Sequence, residues 1–405
     1  MKSDLALKFL LSIDSKIIKY GLQRTIQLLE MCGNPHNKLQ SIQVVGTNGK
    51  GSTSAMIAKV LMENNYKVGL YTSPHLVTIH ERIRINNIMI SNEYMNQFIH
   101  QYKIDLDSIQ PSFFEIMTVI ALKYFSDYNV DFAVLETGLG GRYDSVTAAL
   151  SDSIIYTPID IDHTSLLGNT LTSIAKEKAG AISSQTSFIF SAIQHKAVQY
   201  VLDAHASKFN KKIIYDSDIL LDDMILPKHQ IQNMSLANKV LRFLQKPYQL
   251  KLKNIQYNLK QTIWPGRLQI IQQNPTVIFD VAHNRHGLQA FIDFFITINS
   301  KYKRKYLIVG FEAGKNIHSC IQQLYKLFNF VVITETQIRK SMPYNELKEA
   351  CSPSESVTIS VNLNAYNAIQ ETLQIAEDND IIIILGSHYF GPVVAQIFKN
   401  SFDIE

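Results

Sequence analysis

Three stretches of this 405-residue chain combine residue types that handle phosphate and carboxylate groups. The first is Gly46-Thr47-Asn48-Gly49-Lys50-Gly51-Ser52, placed between an apolar run and a segment of helical period. Glycines let the backbone turn tightly and aim successive N–H groups at phosphate oxygens, and a following helix adds about half a positive charge. Lys50 is placed to reach the β- and γ-phosphates, and Ser52 to ligate Mg²⁺. The spacing departs from G-x-x-x-x-G-K-[ST]: two residues separate Gly46 from Gly49, and Gly51 stands between Lys50 and Ser52. A Gly-rich turn between strand and helix is the plain alternative.

The second stretch is Glu136 at the end of Asp131-Phe-Ala-Val-Leu135, followed by Thr-Gly138-Leu-Gly140-Gly141-Arg142-Tyr143-Asp144. A carboxylate at the carboxyl end of a buried parallel strand stands where such sheets bind ligands, and beside a phosphate loop it suits Mg²⁺. The third is Asp160-Ile-Asp162-His163, leading to Lys176-Glu-Lys178-Ala-Gly180. Its histidine is expected close to Glu136 if the two preceding strands are neighbours, where neutral imidazole makes a second metal ligand. Alone, Lys178 reads as a helix-surface lysine.

These residues need a scaffold, and the pattern supplies one. Short β-rich runs at Ile42–Val45, Lys67–Tyr71, Asp131–Leu135, Ser153–Thr157 and Ser187–Phe190 alternate with helical segments such as Ser54–Asn64 and Phe114–Tyr128. Apolar strands without strict alternation, separated by helices, predict a parallel sheet covered on both faces. After Trp264-Pro-Gly-Arg267 breaks the periodicity, a second series follows at Thr276–Phe279, Tyr306–Val309, Phe330–Thr334, Ser356–Ser360 and Ile381–Leu385. Two α/β domains joined near residue 270 are expected, with 205–230 the least interpretable stretch.

Composition narrows the setting. Hydrophobic residues make up 46% and charged residues 18%, which suits packed cores rather than disorder. A net charge of +4 is too weak to point to nucleic acid or a membrane surface. Cys32, Cys320 and Cys351 are odd in number and widely spaced, as expected in a reducing compartment. Asp4 and Lys8 interrupt the first apolar stretch, so it does not read as a signal peptide, and runs such as Ile381–Leu385 are strand-sized. The expectation is a soluble cytoplasmic protein.

Further motifs fall in a fixed order along the chain: Tyr71-Thr-Ser-Pro-His-Leu76, Glu81-Arg-Ile83, Phe113-Phe-Glu115, Asp280-Val-Ala-His-Asn284 and Gly386-Ser387. Together with the phosphate loop, the glycine loop and Trp264-Pro-Gly-Arg267, they resemble the folylpolyglutamate synthase/dihydrofolate synthase family of the Mur ligase superfamily. The resemblance implies an N-terminal P-loop-type parallel-sheet ATPase domain (1–268) that binds ATP and pterin. A smaller C-terminal Rossmann-like α/β ligase domain (269–405) completes it. It also implies the chemistry: ATP phosphorylates a pterin carboxylate, and the amine of L-glutamate attacks the acyl phosphate.

Carried onto this sequence, the resemblance assigns Thr47, Asn48, Gly49, Lys50, Gly51, Ser52, Asn233, Arg267 and Asp280 to ATP. Ser52, Ser73 and Glu136 go to one Mg²⁺, and His163 to a second. Lys50, His163 and Lys178 become catalytic, with Lys178 carrying a CO₂-derived carbamate. The pterin falls to Ile18, Lys19, Tyr20, Phe114, Glu115, Tyr143, Asp144 and Ser145, and glutamate to His283 and Ser387. The implied partners are small molecules only (ATP, L-glutamate, dihydropteroate or reduced folates), acting on a monomer.

Three segments depart from the family pattern. Ser145-Val146-Thr147 replaces a Thr-Asn continuation of the glycine loop, Gly314-Lys315-Asn316 replaces Asp-Lys-Asp, and Arg285 stands where proline is usual. The residues leave three rivals: a monofunctional synthase of either kind, a Mur-type ligase of UDP-sugar peptides, and a non-ligating nucleotide-binding regulator. Residues 1–40 are too few for the UDP-binding domain of the second, and His163 and Lys178 beside Glu136 exceed what the third needs.

Overall fold

The computed structural model describes residues 5–13, 21–216, 226–336, 341–351 and 357–403. The chain divides into two compact units. The first takes in most of the chain up to Thr262; the second runs from Ile263 onward and adds Leu76–Thr78 and a short stretch ending at His229.

The first unit holds an eight-stranded sheet. Its strands are β1 (Ser41–Val45), β2 (Val68–Tyr71), β3 (Ile83–Ile85), β4 (Ile88–Met89), β5 (Phe132–Glu136), β6 (Ser153–Tyr156), β7 (Phe188–Ser191) and β8 (Ile213–Tyr215). Their order is β4-β3-β2-β5-β1-β6-β7-β8, parallel from β2 to β8. Every residue of β1, β5 and β6 is buried, as expected of strands covered on both faces. The chain leaves β1 toward β2 on one side and later toward β6 on the other. The carboxyl ends of β5, β1 and β6 therefore flank the point where strand order reverses, the ligand crevice of open α/β sheets.

β5 and β6, whose adjacency would bring Glu136 and His163 close, are not neighbours; each pairs with β1. The two strand ends are thus separated by a full strand, roughly 9–10 Å. The antiparallel ribbon β3–β4 and the short β8 also escaped the sequence pattern, because two or three residues give no period to read.

Two helices matter for the site. The helix Lys50–Glu63 starts four residues before the expected Ser54, because Gly49 caps it in a left-handed conformation (φ +83°). The helix Phe113–Asp127 opens with a capping box in which Ser112 and Glu115 satisfy each other's backbone N–H groups. Its Ile116, Val119, Ile120 and Ala121 are fully buried against the β2–β3–β5 face. Each large apolar side chain so buried contributes about 1.5–3 kcal/mol.

The second unit holds a six-stranded sheet of β9 (Gln269–Gln272), β10 (Thr276–Asp280), β11 (Lys305–Val309), β12 (Phe330–Glu335), β13 (Thr358–Asn364) and β14 (Ile381–Leu385). The order is β13-β12-β11-β14-β10-β9, parallel except for β9. The expected helix Ile317–Phe328 is an α-helix only over His318–Leu324 and tightens to a 3₁₀ turn at Tyr325–Leu327. Among the described residues no helix is long and apolar enough to cross a membrane.

Candidate active site

At the end of β1 the backbone has no room for side chains. A Cβ on Gly46 would lie 1.9 Å from Thr157 Oγ1 at the end of β6, and one on Gly49 2.4 Å from Asn233 Oδ1. Asn233 comes from the helix Lys228–Leu244 and is buried, so a residue far away in sequence sits against the loop. The amides of Thr47 and Asn48 donate to Pro158 O (3.0 and 3.4 Å), and Thr47 Oγ1 and the Asp160 backbone bond each other in both directions. This narrows the phosphate cradle: Thr47 and Asn48 brace the loop against the β6 end. The open donors are those of the helix N-terminus, over Lys50, Gly51 and Ser52, whose first N–H groups have no intrahelical acceptor. Lys50 Nζ folds back on Thr47 O at 3.2 Å.

Lys178 is not a surface lysine. It is 4% exposed, and its Nζ donates to the carbonyl oxygen of Gly46 at 2.6 Å. Burial, and then the nearby Lys50, lower its pKa to about 7; Asp162 and Asp144 oppose the shift. Its backbone is fixed from two sides. Tyr156 OH donates to Lys178 O at 3.1 Å, and Gly141 packs so closely that a Cβ would lie 2.5 Å from the same oxygen. Arg142 N bonds Glu177 O, and Gly180 lies under the Arg142 side chain. The glycine loop after β5 therefore docks on the end of the helix that carries Lys178.

That loop is braced from within. Buried Asp144 accepts from Leu139 N (2.7 Å) and Val146 N (3.0 Å); burial raises its pKa to about 6 against those bonds. Thr147, where the family pattern is altered, donates to Gly141 O at 2.7 Å and accepts from Gln43 Nε2 of β1 at 3.0 Å. The departure thus leaves the loop tied to the central strand. Ser145 is buried at the head of the 3₁₀ turn that follows.

Glu136 is buried at the tip of β5, and its Oε2 accepts from the Ser73 amide at 2.9 Å, joining the β2 and β5 ends. His163 caps a short helix in the left-handed region (φ 50°), with its side chain 47% exposed and 4.0 Å from the Asp162 carboxylate. Among the described residues no group of three or more His, Cys, Asp or Glu forms a metal cage. Mg²⁺ needs none: it takes one or two carboxylates with phosphate oxygens and waters. The oxygen donors of Glu136, Ser73 and Ser52 fit that chemistry.

Of the residues expected to hold a pterin, Ile18, Lys19 and Tyr20 lie outside the described residues. The Phe114 ring covers Gly138, where a Cβ would lie 2.5 Å away, and packs 5.9 Å from Tyr71. Tyr143 is half exposed under the Arg142 guanidinium. Glu115 is 3% exposed, and its carboxylate is engaged by Arg24 Nε (3.0 and 3.2 Å) and Ser112 N (2.6 Å).

In the second unit, the carboxyl ends of neighbouring strands β10 and β14 gather Asp280, His283, Ser387 and Arg267. Asp280 accepts from Leu268 N (2.8 Å) and Ala282 N (2.7 Å); burial pushes its pKa up, and Arg267 is the first influence against that. His283 Nδ1 lies 2.9 Å from Val281 O, and Ser387 caps Tyr389 N at 3.1 Å. His388, which the sequence reading did not single out, places Nε2 3.4 Å from Arg267 Nη2, with its ring 5.4 Å from His283. A histidine next to Ser387 was visible, but nothing in sequence links it to Arg267.

A nucleotide-type loop at the switch point of one sheet and a ligase domain in the other unit define an ATP-dependent ligase of the Mur type. Residues 266–388 of the second unit match the Mur ligase, glutamate ligase domain family. A dihydrofolate synthase/folylpolyglutamate synthase of Bacillus subtilis is 31% identical, spanning 92% of this chain and 94% of that protein. The chain belongs to the dihydrofolate synthase/folylpolyglutamate synthase family. Among solved structures, folylpolyglutamate synthase of Thermotoga maritima aligns with TM-score 0.81 and 26% identity over 98% of this chain and 97% of that one. The bifunctional enzyme of Yersinia pestis, complexed with AMPPNP and a Mn ion, aligns with TM-score 0.83 and 25% identity over 96% of each chain.

Proposed function

We propose that the chain joins L-glutamate to a pterin carboxylate at the expense of ATP, making dihydrofolate from dihydropteroate and also extending reduced folates. The observation that carries this reading is the buried amine of Lys178 on the carbonyl of the loop's first glycine. A protein that only bound nucleotide would have no use for a desolvated amine there, since burying an ammonium is costly.

In this reading the amides of the helix N-terminus and Lys50 hold the ATP phosphates, and Asn233 flanks the nucleotide beside Gly49. Glu136, Ser73 and Ser52 hold Mg²⁺, and His163 a second ion; bound Mg²⁺ supplies charge neutralisation for the transferred phosphoryl group. Lys178, whose pKa burial lowers to about 7, adds to CO₂ in its neutral form, forming an N–C bond and losing one proton to solvent. The resulting carbamate is an anion facing the same charge. Phe114, Tyr143 and Ser145 border the pterin, while Arg267 and Asp280 serve the nucleotide and His283 and Ser387 the incoming glutamate. We take the chain to work as a cytoplasmic monomer with its ATP- and pterin-binding domain over 1–268.

The test is glutamate-dependent ADP release with Mg-ATP, run with dihydropteroate and with a reduced folate. Turnover with both establishes the double activity, and turnover with one fixes the branch. ATP binding without turnover on either acceptor would sink the reading.

A further inference from the structure

Arg84 is a buried cation with no ion-pair partner among the described residues. It sits in the middle of β3, opposite Leu70 of β2, and is 4% exposed. Its neighbours Ile83 and Ile85 enter the core beneath the helix Phe113–Asp127. Side chains alternate along a strand, so Arg84 projects from the other face, together with Leu70.

Among the described residues its hydrogen bond uses Nε, which donates to the backbone oxygen of Glu81 at 3.2 Å. Among the described residues no carboxylate lies within ion-pair distance of it. Burial lowers its pKa, and only the Glu81 charge opposes that. The chain treats other arginines differently: Arg24 is paired with Glu115, and Arg304 with Glu377 and Asp380. The terminal nitrogens of Arg84 are not sealed in, since they are absent from the fully enclosed polar atoms that lack a partner.

A desolvated, unpaired guanidinium costs several kcal/mol unless something arrives to pair with it. With Nε occupied, the two terminal nitrogens present the planar fork that fits a carboxylate or a phosphate bidentately. We propose that Arg84 is an oxyanion-binding residue, taking a carboxylate or phosphate of a small-molecule ligand in the fork of its terminal nitrogens. The position lies one residue before the end of β2, at the level where the strand leads into Thr72 and Ser73. The inference does not depend on the ligase reading, because it is tested by binding.

The experiment is thermal unfolding of the full chain, wild type against Arg84→Met and Arg84→Lys, with L-glutamate, dihydropteroate or inorganic phosphate added. The two carboxylates and the phosphate distinguish the sources. The expected result is that at least one probe raises the wild-type Tm, that Arg84→Met loses this shift, and that Arg84→Lys keeps part of it. Without ligand, Arg84→Met should melt at or above the wild-type temperature, because no ion pair is broken. The Kd for the same probe, read by calorimetric titration, should rise about tenfold or more, the loss of one charge-assisted pair. Equal shifts in wild type and Arg84→Met overturn the proposal, as does the absence of any shift in wild type. If Arg84→Met melts well below wild type, Arg84→Lys decides. A wild-type Tm with a weakened ligand shift upholds the site, and a Tm lowered in parallel makes the guanidinium structural.

Discussion

Lys178 Nζ lies 2.6 Å from the carbonyl oxygen of Gly46, so the amine on one helix is bonded to the residue that opens the phosphate loop, 132 positions away. Lys178→Ala should therefore lower glutamate-dependent turnover by more than about a hundredfold, as when a charge facing the reacting group is removed. ATP affinity, measured by equilibrium binding, should change little. An equal loss of both would assign Lys178 to the loop's structure rather than to the reaction.

The same amine sets a pH dependence. Its pKa is lowered to about 7, chiefly by burial, so the neutral form that reacts with CO₂ is present above that pH and lost below it. Wild-type activity should fall as the buffer passes below about 7, and CO₂-depleted enzyme should recover on adding bicarbonate. Indifference to CO₂ at every pH would exclude the carbamate.

Gly49 is constrained both by its backbone conformation and by its neighbour. Its φ of +83° is left-handed, and a Cβ would lie 2.4 Å from Asn233 Oδ1. Gly49→Ala should cost about 1–2 kcal/mol from the backbone conformation alone. It should also raise the KM for ATP by displacing Asn233. In the Asn233→Ala background the steric part should largely vanish, a non-additivity that a double-mutant cycle reads directly.

For Glu115, two substitutions separate fold from recognition. Glu115→Ala removes the capping box and the partner of Arg24, and should cost about 2–4 kcal/mol in urea unfolding. Glu115→Gln keeps an acceptor for Ser112 N and should cost less. If the Gln variant is stable and its KM for dihydropteroate is unchanged, Glu115 is purely architectural.

Asp144 gives a stability profile with a definite sign. Its pKa is raised to about 6 from 3.8 by burial, so between these values the folded chain holds the proton more often than the unfolded one. Stability from this group is full below the unfolded value and is lost as pH rises through about 6. Asp144→Asn cannot titrate. Its stability relative to wild type should rise between pH 4 and 7, by up to about 3 kcal/mol. A flat difference across that range would mean that Asp144 keeps an ordinary pKa.

By itself, the sequence determined the longer buried strands, the helical segments between them and the glycine-rich loops at their ends. Continuous apolar runs such as Ile381–Leu385 had to be buried parallel strands, and a glycine-rich turn at the end of one had to face a helix N-terminus. The fold class, the phosphate loop and the strand-end Glu136 were legible because each depends on residues close together in the chain. Strand order decided the rest. Nothing local tells β5 and β6 to lie on opposite sides of β1, and that alone separates the ends of Glu136's strand and the one leading to His163. Burial is likewise a property of packing: Lys178 reads as a surface lysine in its helix, and only the glycine loop and Gly46 take its amine out of water. Thr147 tied to Gln43 of the central strand and Asn233 set against Gly49 arise from contacts between residues more than a hundred positions apart. Side-chain periodicity holds no record of those contacts.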